Sequence, residues 1–306
     1  MSSKVSSRWK SVSNPLFIGG LNSQALLVSR RSQRQRYRPQ LEPPSVRATV
    51  AGALVVTISA VVLMVALLLS KRQVEPPPPG FIRLTGKWDC VDVVGGEYRV
   101  CNNVWGSGSG VGEQVVDVDP SSTHFKVVKT THNSRNVAAY PFVYKGCHWG
   151  HCTRNSGFPV KVKELRAARS SWRISVERVE GTWNAAYDIW FSVKGAADPT
   201  GGAELMIWIN RGGGAGPAGR KVATVEIGGI TWDVYFANMS WNYIAYLAKE
   251  PLTSVDLDVK AFIDDSVSRG FIDPEWFLDA IEAGFEIWRD GSGLETFSFS
   301  ANVEGS

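Results

Sequence analysis

Between residues 81 and 302 apolar and polar positions alternate in short runs separated by Gly, Asn, Asp and Pro, which is how strands with one buried face read in a sequence. WDCVDVV, EYRVCNNVW, THFKVVKT, WRISVERVE, AAYDIWFSV, ELMIWIN, KVATVEI, TWDVYFA and ETFSFSANV are such runs, and their succession predicts an all-β sandwich over residues 81–306. One stretch has a helical period instead. Val255–Arg269 sets Leu257, Val259, Phe262, Ile263 and Val267 on one side, with Gly270 as a stop, and predicts a single α-helix on the outer surface of one sheet. Ahead of the sandwich, residues 48–70 form a run of 23 uncharged residues. At about 1.5 Å per residue such a run crosses a hydrocarbon core of roughly 30 Å, so it predicts a transmembrane helix. Residues 71–80 contain QVEPPPPG, whose consecutive prolines lack amide donors and favour a short, extended polyproline II stalk.

Charge separates these regions. Residues 1–47 carry nine Lys or Arg against Glu42 alone, so they hold +8 of a chain whose net charge is +4, and the remainder is left with −4. That balance leaves no basic groove, so no nucleic-acid partner is expected. Rich in Ser, Arg and Gln and without an apolar period, residues 1–47 read as a disordered cytoplasmic tail. A basic flank before residues 48–70 orients the membrane helix with its N-terminus in the cytoplasm and the sandwich outside. An uncleaved anchor is favoured over a signal peptide because no small-x-small site closes the apolar run; cleavage would make the domain secreted.

Cys90, Cys101, Cys147 and Cys152 all follow the apolar segment, an even number on the oxidising side, which favours two disulfides. Counting outward from a two-residue Gly95-Gly96 turn sets Cys90 opposite Cys101, as a hydrogen-bonded pair within disulfide reach. Cys147 and Cys152 bound GCHWGHC, where His148 and His151 offer a metal knot as the alternative. Ligands packed so closely leave little room for a tetrahedron, so a disulfide is favoured and no metal or other cofactor is expected.

Two strand-like runs place a carboxylate where burial is costly. In Ala203–Asn210, Glu204 shares a face with Met206, Trp208 and Asn210, while Leu205, Ile207 and Ile209 point the other way. In Trp276–Trp288, Glu286 shares a face with Trp288 and Trp276, opposite Phe285 and Ile287. An isolated glutamate on a strand usually faces solvent, but tryptophan beside each acid supplies a flat platform for a sugar ring and keeps the acid poorly solvated. Glycosidic hydrolysis needs such a pair, one protonated carboxyl for the leaving oxygen and one ionised.

The runs CNNVWG (101–106), AYPFVYKGCHWGHC (139–152), NAAYDIWF (184–191), ELMIWINR (204–211) and AGFEIWRDGSGL (283–294) together resemble glycoside hydrolase family 12. The resemblance covers roughly Trp88 to Asn302 and implies a β-jelly-roll, a concanavalin-like sandwich, acting as a retaining endo-β-1,4-glucanase of the cellulase type on cellulose or related β-glucan. It implies Glu204 as nucleophile, Glu286 as acid/base and Asp188 as the aspartate that supports the nucleophile. Strand period agrees, since Asn184, Asp188 and Trp190 share a face. Trp105 matches an aromatic platform with Asn103 beside it, and Met206 and Trp208 match residues lining the reacting subsite; Trp288 joins them. In GGGAGPAGR (212–220) Pro217 keeps one of the two prolines usual in the loop crossing the cleft, and Gly214 stands at the other, which bears on substrate preference. Two alternatives stay open: a non-catalytic, membrane-tethered glycan-binding sandwich, and the same enzyme with xyloglucan or mixed-linkage glucan as substrate. A monomer is expected.

Overall fold

A computed structural model describes residues 74–195 and 201–305; the expected tail and membrane helix, residues 1–47 and 48–70, lie outside them. Among the described residues no helix is long and apolar enough to cross a membrane. Val74–Gly80 carries neither helix nor strand and ends in a turn closed by the Phe81 amide donating to the Pro78 carbonyl at 3.0 Å.

The alternating runs build two sheets. The smaller has six strands, in spatial order β1 (Ile82–Leu84), β4 (Gln114–Val118), β5 (Phe125–Thr130), β18 (Glu295–Gly305), β9 (Leu165–Ser175) and β15 (Ser254–Asp258). The larger has twelve. Its main path runs β12 (Arg220–Ile227), β13 (Ile230–Asn238), β14 (Asn242–Ala248), β11 (Ala203–Gly212), β10 (Gly181–Ser192), β16 (Phe277–Gly284), β6 (Phe142–His148), β3 (Tyr98–Cys101) and β2 (Cys90–Val93). Short strands β17 (Ile287–Asp290), β7 (His151–Cys152) and β8 (Val160–Lys161) attach to β10, β6 and β16.

The main core fills the space between the sheets. Trp172 of β9 lies at 1 % exposure, with its ring 5.3 Å from Tyr187 and 5.7 Å from Phe285 across the sandwich, and its indole donates to Thr296 Oγ1 at 3.1 Å. Burying a side chain of this kind contributes about 2–3 kcal/mol, and its one polar atom is satisfied. A separate apolar cluster, including Met206, Trp208, Tyr243 and Leu247, lies on the opposite face of the larger sheet. Successive residues of β11 therefore alternate between the two: Leu205, Ile207 and Ile209 in the core, Glu204, Met206 and Trp208 outward.

Three expectations are corrected here, two of them by β-bulges. Asn210 does not stay on the face of Glu204. The pairing of β10 with β11 shifts by one residue between Ala185 and Ala186, so Asn210 stands opposite Ala185, a core residue, and donates to the Leu252 carbonyl at 3.0 Å. Trp276 likewise leaves the face of Glu286. The β10–β16 register shifts between Trp190 and Phe191, which turns Leu278 and Trp276 toward the core. The helix, α1, covers only Val259–Ser268, because Ser254–Asp258 pairs with β9 as an edge strand. It packs on the inner face of the larger sheet, not an outer one. Phe262 meets Trp232 and Tyr246, each at 5.1 Å, and all three belong to the main core.

Both expected disulfides are present, Cys90–Cys101 and Cys147–Cys152. The first pair is in the expected register, but its Cα atoms are 4.1 Å apart and the neighbouring Asn102 amide bonds the Asp89 carbonyl, so it is a non-hydrogen-bonded pair. The cause is the turn: the Val94 amide donates to Pro120 instead of closing a tight hairpin, while Val94, Gly95 and Gly96 all have positive φ.

Candidate active site

The outward face of the larger sheet forms a cleft of about 950 Å³. Its floor is set by three adjacent strands. Asp188 of β10 stands opposite Met206 of β11 on one side and opposite Glu282 of β16 on the other, and Glu204 stands opposite Trp190. Glu286 follows β16, where the ladder opens by one rung. The Asn184 amide donates to the Glu286 carbonyl at 2.9 Å, while the Glu286 amide donates to the side-chain oxygen of Asn184 at 2.9 Å instead of to its backbone. The Asn184 side-chain amide then donates to Glu286 Oε2, so one residue fixes both backbone and carboxyl of this acid. Glycine at 284 is required just before it, because a Cβ there would lie 2.3 Å from the Pro141 carbonyl oxygen.

Asp188, Glu204, Glu282 and Glu286 all line this cleft. Glu204 is 9 % exposed, Asp188 7 % and Glu282 1 %, whereas Glu286 is partly open to the cleft. Glu204 Oε2 accepts the indole N–H of Trp241 at 2.7 Å. Burial, followed by the charge of Glu286, pushes the Glu204 carboxyl up to about 8; burial pushes Glu286 up to about 7, against the Asn184 bond. Burial and then the charges of Glu204, Glu282 and Glu286 hold Asp188 well above the usual carboxylate range. Near neutral pH Asp188, Glu204 and Glu286 hold protons more tightly than free carboxylates do, so the site holds both proton donors and ionisable acceptors. Tyr140, fully buried among the same four acids, is held far above its usual value and stays a neutral donor to the Ala186 carbonyl at 3.0 Å.

The aromatic surroundings fall partly where the sequence placed them. Trp105, half exposed at 48 %, lines the cleft with Asn103, whose amide donates to the Tyr140 carbonyl at 3.1 Å and whose φ is 46°. Trp208 and Trp288 line it as a tilted pair 6.4 Å apart. Met206 does not line it. It lies beneath the floor at 1 % exposure, and its sulfur receives the Trp208 indole N–H at 3.3 Å. Pro217 is also absent from the lining, which comes instead from its neighbours Gly216 and Ala218.

Several residues of the site had no earlier assignment. Trp88 and Trp149, both more than 60 % exposed, extend the aromatic lining, and Trp241 reaches Glu204 from the loop between β13 and β14, where no period exists to reveal it. Glu282 was legible in principle, since it lies four residues before Glu286 on the same strand face. His148, which the sequence offers only as an alternative metal ligand in the cysteine loop, places Nδ1 2.6 Å from Glu282 Oε1.

Residues 96–304 match the family described as Glycosyl hydrolase family 12. An endoglucanase from Rhodothermus marinus is similar in structure at a TM-score of 0.71 and 51 % identity, over 74 % of this chain and all of that one. A family 12 xyloglucanase from Bacillus licheniformis is similar at a TM-score of 0.65 and 26 % identity, over 73 % of this chain and all of that one. In sequence, Endoglucanase S of Pectobacterium parmentieri is 30 % identical over 68 % of this chain and 82 % of its own length. The two-sheet sandwich, the acid-lined cleft on its larger sheet and the match across most of the chain agree, and the chain belongs to glycosyl hydrolase family 12.

Proposed function

We propose that this protein is a retaining endo-β-1,4-glucanase in which Glu204 attacks the anomeric carbon and Glu286 serves first as acid and then as base. The observation that carries this reading is that two glutamates from different segments of the larger sheet meet, largely desolvated, in one tryptophan-lined cleft. A glucan chain laid on Trp105 and Trp288 brings a glycosidic oxygen to the Glu286 carboxyl, which donates its proton as the Glu204 carboxylate forms a glycosyl-enzyme bond. Glu286, now ionised, takes a proton from water, and the water oxygen displaces Glu204 from the anomeric carbon. The Trp241 N–H on Oε2 holds the Glu204 carboxylate in position and stabilises its charge, as the Asn184 amide does for Glu286. Because burial raises both carboxyls, and that of Glu204 further, the order of roles rests on the match of ELMIWINR and AGFEIWRDGSGL to the family's motifs, with Asp188 as support of the nucleophile. A sandwich that only bound glycans would have no use for four acids in a desolvated cleft.

A second reading concerns the glucan. Gly216 and Ala218 are the parts of the crossing loop that reach the cleft, and such small side chains leave room for a branched backbone, so xyloglucan is proposed beside unbranched β-glucan. The two disulfides support export of the domain, with residues 48–70 as its membrane anchor and residues 1–47 on the cytoplasmic side.

The test is to incubate the full chain with carboxymethyl-cellulose, xyloglucan and mixed-linkage β-glucan, measuring reducing ends and the anomeric configuration of the first product. Release of β-configured product from at least one supports the proposal. Inverted product, or none from all three, overturns it.

A further inference from the structure

Glu282 is a buried carboxyl to which the double displacement assigns no step. It is 1 % exposed and stands directly opposite Asp188 across the β10–β16 ladder, a rung on which Cβ atoms lie about 4.5–5.5 Å apart. Each of these acids has one buried oxygen without a hydrogen-bond partner, Oδ1 of Asp188 and Oε2 of Glu282. Two ionised carboxylates facing each other in a desolvated site repel strongly, whereas one proton between them gives one oxygen a donor and the other an acceptor. The geometry points to Asp188 and Glu282 as a pair sharing a single proton, with the proton on Asp188 and the charge on Glu282, fixed there by His148.

The bias comes from what surrounds the pair. Glu204 faces Asp188 from β11 and Glu286 from beyond β16; Tyr140 and Tyr144 face it from the β6 side, and Tyr243 from β14. All are anionic or neutral. Among the described residues His148, at the end of β6, is the basic side chain in contact with the pair, and it bonds the Glu282 end, at 2.6 Å. Arg99 lies one strand further, opposite Tyr144, and is engaged with Asp92 at 2.6 Å. An imidazole N–H donated to Glu282 Oε1 supports the charge at that end of the pair and leaves the proton to Asp188. The elevation of the Asp188 carboxyl by burial and by its three acidic neighbours runs in the same direction.

The consequence falls on the nucleophile, and in this respect the inference rests on the roles proposed above. Glu204 must be ionised to attack, yet Glu286 and burial oppose its ionisation. A neutral Asp188 removes the negative charge that would otherwise face Glu204 from the adjacent strand. Glu282 is then a positioning residue, which keeps the pair's negative charge on its own carboxylate, beside His148 and away from the nucleophile.

The experiment is the pH profile of kcat/KM for the full chain and four variants on a soluble β-glucan. In Glu282→Gln, Asp188 loses its charged neighbour and ionises beside Glu204, so the acid limb moves to higher pH by about one unit. His148→Gln moves it in the same direction by less. Asp188→Asn mimics the neutral acid, so its acid limb stays near that of the wild type, and adding Glu282→Gln to it produces no further shift. The inference is overturned if Glu282→Gln lowers kcat or thermal stability without moving the limb, if the limb moves to lower pH, or if the double variant shifts as far as Glu282→Gln alone. An unfolded Glu282→Gln leaves the decision to His148→Gln, where an unmoved limb likewise overturns it. A wild-type chain that releases no reducing ends instead fails the proposed function, so the two failures are distinguishable.

Discussion

The two faces of the larger sheet are built from the same strands and bury their side chains to a similar depth, yet their chemistry is opposite. Along β11, Leu205, Ile207 and Ile209 are fully buried in the core, while Glu204, Met206 and Trp208 are at 9 %, 1 % and 1 % exposure on the cleft side. Facing the core side polar atoms are few: the Trp172 indole, packed against it from the smaller sheet, is satisfied by Thr296, and the Trp183 indole N–H is buried without a partner. On the cleft face carboxyls crowd together, and Asp188 and Glu282 each keep an oxygen unpartnered. Core burial stabilises the fold; burial in the cleft opposes it and instead raises the proton affinity that acid catalysis requires. A site that stores charge repulsion depends on the opposite face of the same strands for stability.

That contrast breaks most sharply at Glu204. Glu204→Gln is expected to lower kcat/KM on β-glucan by about 10⁴-fold or more, roughly 5.5 kcal/mol of transition-state stabilisation, while its thermal midpoint stays level or rises because a repelled carboxyl has gone. Reducing-end assays and a melting curve check both halves; a fall in both would assign Glu204 to the structural face. Trp172→Ala, on the strand of the smaller sheet that packs against the other face, tests the core. It should cost about 3–5 kcal/mol in denaturant unfolding, and the molecules still folded should keep their pH profile.

Opening Cys90–Cys101, which borders the cleft but joins neighbouring strands of the sheet, should cost less. A closed loop with a sequence separation of 11 confers about 2–3 kcal/mol on chain entropy, so Cys90→Ser/Cys101→Ser should unfold at lower denaturant with kcat retained. The smallest effect per step is the pH dependence of stability. Glu204 and Glu286 have folded values near 8 and 7, above the usual unfolded value near 4.5, so the folded state binds the extra protons between those limits. Stability should therefore fall as pH rises from about 4.5 to about 8, by at most about 1.4 kcal/mol per pH unit for each proton. Either Glu→Gln change should flatten that slope, as thermal melts at pH 5, 6, 7 and 8 would show.

Legibility followed the range of the interactions. Period two placed Glu204, Trp208, Glu286 and Trp288 on the cleft face and Leu205 and Ile207 in the core, because side-chain alternation is a property of one strand alone. It failed at Asn210 and Trp276, where a bulge formed with a neighbouring strand inserts an extra residue and reverses the faces beyond it. The helical period at 255–258 was overridden in the same way, by β9 offering those residues a ladder.

By itself the sequence determined the strand-rich sandwich, the closeness of Cys147 to Cys152 and the two glutamates with tryptophan beside them, since each depends on residue type and local spacing; that Cys90 pairs with Cys101 was decided by the structure. Tertiary structure alone decided that Trp241 reaches Glu204, that Asn184 holds Glu286 and that Glu282 stands between Asp188 and His148. These contacts join residues dozens of positions apart, and they shift the proton affinity of the acids through desolvation and charge, which arise only when separate strands enclose a common space.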